Sequence, residues 1–94
     1  MRTDAPSVVY AVERAVDYLA QWNYTHWDRL DTFRSVSSAQ SRLGQAANSL
    51  WQRWTYEFPR CEIKLKYDTP GEARVLINGD ICARFRVAEQ YVKP

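Results

Sequence analysis

Between Cys61 and Val87 polar and apolar residues exchange places every second position, and this is the feature that most limits what the chain can become. Three short segments, CEIKLKY, ARVLI and DICARFRV, read as strands, and the first and third carry the pattern. In the first, Ile63, Leu65 and Tyr67 alternate with Lys64 and Lys66. In the third, Ile81, Ala83 and Phe85 alternate with Arg84 and Arg86. Successive side chains of a strand point to opposite sides of a sheet, so a period of two sorts oil to one face and charge to the other. The segments are separated by two turn signals, Asp68-Thr69-Pro70-Gly71 and Asn78-Gly79, whose residues favour tight reversals. An antiparallel meander of three strands follows, over about 61–87.

Register within the second hairpin is open to two readings. A two-residue Asn78-Gly79 loop would oppose Val75 with Cys82 and mix the faces. A three-residue loop opposes Val75 with Ile81 and Ala73 with Ala83, keeps apolar with apolar, and is the preferred expectation. The other face then carries Lys64, Lys66, Arg74, Arg84 and Arg86, with Glu62, Glu72 and Asp80 around them.

Upstream the spacing predicts helices, over about 5–58. Val8, Val12, Ala15, Val16 and Leu19 fall at three- and four-residue steps, which predicts a first helix from about Pro6 to Trp22. Thr25 and Asp28 have capping-box spacing ahead of Trp27, Leu30 and Phe33, which predicts a second helical element. Ser35–Ser38 is weak helix, so a break is expected there. Ser37 or Ser38 would cap a helix reaching about Tyr56 with Leu43, Ala46, Ala47, Leu50, Trp51 and Trp54 buried; one unbroken helix over Thr25–Tyr56 is the alternative. The expected fold is therefore α+β: a single domain, residues 1–94, with two or three N-terminal helices packed on one face of a C-terminal three-stranded antiparallel sheet. Two layers of this kind leave the cationic face open to solvent.

Composition restricts function more than it assigns one. Net charge is +2, with thirteen Lys and Arg against eleven Asp and Glu, too little for charge alone to argue a nucleic-acid protein. Four Trp, six Tyr and three Phe are a heavy aromatic load whose default place is the core, with Trp and Tyr also favoured at interfaces. Cys61 and Cys82 have no metal or redox spacing, which points to a reducing, cytoplasmic setting. The N-terminus has no secretory pattern and no apolar run reaches membrane-spanning length.

No catalytic set assembles from the residues. His26 is the sole histidine, and Asp28 and Asp31 are explained by ion pairs with Arg29 and Arg34. The three glycines sit in a helix and two turns, not a phosphate loop. No enzyme, metal or cofactor is expected. Two binding candidates remain. Lys64, Lys66, Arg74, Arg84 and Arg86 form a surface suited to an acidic patch or to phosphates. Trp22, Tyr24 and Trp27 straddle an expected helix–helix connection, where one ring can protrude as a partner anchor.

The function these features favour is non-catalytic docking on a larger protein or nucleoprotein complex, as an inhibitor or accessory subunit of the kind phages and mobile elements encode. A nucleic-acid-binding module using the basic face is the first alternative, weakened because no aromatic shares that face for base stacking. A homo-oligomer burying surplus aromatics is the second.

Overall fold

The structure, a computed structural model, describes residues 7–16 and 26–92 of the chain. The strands are β1 (Ser7–Val16), β2 (Asp28–Phe33), β3 (Ile63–Thr69), β4 (Glu72–Ile77) and β5 (Asp80–Val92), with one helix, α1 (Val36–Glu57), between β2 and β3. The strands form one antiparallel sheet in the order β2-β1-β5-β4-β3. Helix α1 packs against one face.

This overturns the expectation of two or three N-terminal helices on a three-stranded sheet. The first expected helix is β1, and the second is β2. The segment SVVYAVERAV is rich in Val with a Tyr, residues that fit a pleated surface better than a helix. It misleads because β1 lies between β2 and β5 and is buried on both faces: Ala11, Val12 and Ala15 are shielded from solvent, and Glu13 is only 8% exposed. Where both faces are covered, alternation disappears and helical spacing appears by accident. The expected ends of that helix, around Asp4 and Pro6 and near Trp22, lie outside the described residues.

The remaining helix starts at Val36. Its N-cap is Ser35, not Ser37 or Ser38: the Ser35 hydroxyl accepts from the Ser38 amide at 3.1 Å, satisfying one of the orphan donors of the first turn. It ends at Phe58, just before Pro59. Ala39, Leu43, Ala47 and Trp54 are buried, and Ala46, Leu50 and Trp51 pack partly buried beside them. These side chains meet Val12, Ala73, Val75, Ala83 and Phe85 from the sheet to form the core. No helix among the described residues is long and apolar enough to cross a membrane.

The β4–β5 hairpin corrects the expected register. Asn78 and Gly79 form a two-residue loop with positive φ at both positions, 51° and 88°, the requirement of a type I′ turn. Ile77 then opposes Asp80, and Leu76 opposes Ile81. Continued unbroken, this register would mix the faces. A bulge intervenes, and beyond it Val75 opposes Ala83, Arg74 opposes Arg84 and Ala73 opposes Phe85. One extra residue on β5 thus reconciles the turn's geometry with segregated faces. The bulge also moves Ile81 out of the expected apolar set: it lies with Leu76 on the face away from α1. Asp80, paired with Ile77, leaves the group of acids expected on the basic face.

Candidate functional site

The register carries Lys64, Lys66, Arg74, Arg84 and Arg86 to the sheet face opposite α1. Two neighbouring rows cross that face. In one, Lys66 opposes Arg74, Arg74 opposes Arg84, and Arg84 opposes Ala15. In the next, Glu72 opposes Arg86, Arg86 opposes Glu13, and Glu13 opposes Arg29. The first row is cationic until it reaches alanine. The second alternates in sign. Like charges directly opposite destabilise a sheet and opposite charges support it, each pair by roughly 0.2–1 kcal/mol.

Partners differ accordingly. Arg86 Nε donates to Glu13 Oε1 at 2.8 Å, and its guanidinium carbon lies 3.9 Å from the centre of the Trp27 ring. Arg84 leans toward the same ring at 5.7 Å. Arg74 reaches Asp68 at 2.8 Å, while its buried Nε has no hydrogen-bond partner among the described residues. Among the described residues Lys64 pairs only with exposed Glu62, at 3.3 Å. Lys66 makes no ion pair with any described residue. A cleft of about 320 Å³ opens between Trp27, Ile81 and the three arginines.

The aromatic candidates are placed differently from expectation. Trp27 does not mark a helix–helix connection. It precedes β2 and lies half-buried on the basic face. The face therefore does hold an aromatic ring, and it is not wholly open. Trp22 and Tyr24 lie outside the described residues. His26 is exposed just before β2, with Nε2 3.0 Å from Asp28. Asp31 pairs across to Arg42 of α1 at 3.5 Å, not along a helix to Arg34.

Two participants escape a sequence reading. Glu13 falls outside the apolar stripe of the expected first helix, and its partner Arg86 is 73 residues away. Asp68 reads as turn material, yet it orients Arg74. The one available signal was the run Val8-Val9-Tyr10-Ala11-Val12, whose β character would have put Glu13 on a strand.

Fold and site together define a small helix-on-sheet α+β domain with a basic face opposite its helix. Compared with known protein families, curated proteins and solved structures, the chain matches none.

Proposed function

We infer that the protein is a non-catalytic binding module whose basic sheet face docks on an acidic patch of a larger protein partner. The observation that carries this reading is the row Lys66–Arg74–Arg84. Opposed cations across three strands lower the stability of the sheet; Asp68 offsets this at Arg74, and an anionic partner set against the row relieves it further. Arginine suits the task because its planar fork can hold carboxylates bidentately. By occupying its partner's surface the module acts as an inhibitor or accessory subunit. Cys61 and Cys82 are not joined in a disulfide, in keeping with a reducing cytoplasm.

The test is capture of a partner from host extract at low and high salt, with wild type and with Lys66→Glu combined with Arg84→Glu. The reading requires a protein retained at low salt, released at high salt and lost with the double variant. A retained protein indifferent to both salt and charge reversal rejects the basic face as its dock.

Trp27 favours a second reading, single-stranded nucleic acid. A ring beside two arginines supplies both stacking and phosphate contacts. A shift assay with unstructured DNA and RNA at two salt concentrations separates the two, because phosphate binding weakens steeply as salt rises. Absence of any shift at low salt removes this second reading.

A further inference from the structure

The free edge of β3 is a second, separate surface. Among the described residues β3 is the last strand of the sheet and pairs with β4 alone. Its hydrogen-bonding parity follows from its start, where the Asn78 amide donates to the Glu62 carbonyl at 2.8 Å. In an antiparallel ladder bonded residues alternate along each strand. Glu62, Lys64 and Lys66 therefore turn their backbone groups toward β4, and Ile63, Leu65 and Tyr67 turn theirs outward. Trp51 agrees with this parity: its indole Nε1 donates to the Ile63 carbonyl at 3.0 Å. That bond closes one end of the edge and leaves the amides and carbonyls of Leu65 and Tyr67 facing outward.

Beside these groups lies a groove of about 430 Å³, walled on the helix side by Trp51, Asn48, Leu65 and Tyr67 and bordered by Lys64 and Lys66. Open edges with side pockets are the substrate of strand addition, in which main-chain bonds give affinity and alternate side chains give specificity. The charges choose the occupant. A second copy pairing antiparallel about Leu65 would oppose Lys64 with Lys66, a like-charge contact in each direction, and lysines on an edge are a recognised guard against such self-pairing.

We propose that the β3 edge takes an extended acidic segment of a partner protein as a sixth strand, apolar side chains entering the Trp51–Tyr67 groove and alternate carboxylates meeting Lys64 and Lys66. This surface shares Lys66 with the basic row but does not need Arg74 or Arg84, so Arg84→Glu alone separates the two proposals.

The probe is a short peptide of alternating valine and glutamate, with an alternating valine–lysine peptide as control, and the readout is hydrogen exchange of individual amides. The glutamate peptide slows exchange at Leu65 and Tyr67 and the lysine peptide does not. Tyr67→Pro removes an outward N–H that β4 does not use, a place where an edge strand tolerates proline, and weakens peptide binding on the order of tenfold or more. Lys64→Glu with Lys66→Glu, which leaves the backbone untouched, weakens it by a similar factor, whereas Arg84→Glu leaves it unchanged. Three results overturn the proposal: no slowing at Leu65 and Tyr67, equal slowing by the lysine peptide, or slowing without peptide that grows with protein concentration and so assigns the edge to a second copy.

Discussion

Two adjacent rows of one sheet face use the same residue type in opposite ways. In the row Glu72–Arg86–Glu13–Arg29 signs alternate, and Arg86 sits between the Glu13 carboxylate at 2.8 Å and the Trp27 ring. In the row Lys66–Arg74–Arg84 they do not alternate. In the first arrangement opposite charges face one another across the strands, which supports the sheet. In the second, like charges face one another, which costs the sheet locally, although Arg74 has Asp68 at 2.8 Å and Arg84 leans on the Trp27 ring; on the proposed reading the row's charge serves a partner. An arginine's presence on a face therefore says little about its energetics; its cross-strand neighbours and its ion pairs decide those.

Substitutions in the two rows separate these roles. The largest effect is expected from Glu13→Lys, which sets a third cation against Arg86 and Arg29 in a nearly buried position; loss on the order of 3–5 kcal/mol should appear in urea unfolding. Trp27→Ala removes the ring from Arg86 and should lower stability by about 1–2 kcal/mol, while leaving more of Arg86 exposed to solvent. Arg84→Glu places an acid between Arg74 and the Trp27 side of the sheet. Its stability change should stay within about 1 kcal/mol, since a gain against Arg74 offsets the lost ring contact, yet capture of the partner should fail. Lys66→Glu should be the mildest, a gain of a few tenths of a kcal/mol at roughly the scale of one cross-strand pair.

Legibility in the sequence follows how local each feature is. Helix α1 and the β3–β4–β5 meander were readable because their signals are short-range: a one-sided apolar stripe, a serine-rich start, Asn78-Gly79. Strands β1 and β2 were not. Strand β1 is an interior strand buried on both faces, so its valines also fit a helical stripe. Strand β2 has six residues, DRLDTF, too few to display a period against the Thr25–Asp28 capping pattern. The basic residues were readable because alternation alone collects them. Their division into two rows was not, since it depends on β1 pairing with β5 and on a bulge that no propensity announces. The same bulge reconciled two expectations that had looked exclusive, the tight turn and the apolar register. Trp27 was misplaced for the same reason as Glu13: once β1 and β2 are taken for helices, nothing brings either residue to the sheet.

The most direct test of the division between rows is a paired measurement on Lys66→Glu: its urea unfolding midpoint, and the salt concentration at which it leaves immobilised polyglutamate. A recognition row predicts elution at lower salt than wild type with a midpoint unchanged or raised. Unchanged elution together with a midpoint lowered by more than about 1 kcal/mol, beyond the usual range for an exposed position, would show that Lys66 serves the fold and would contradict the account.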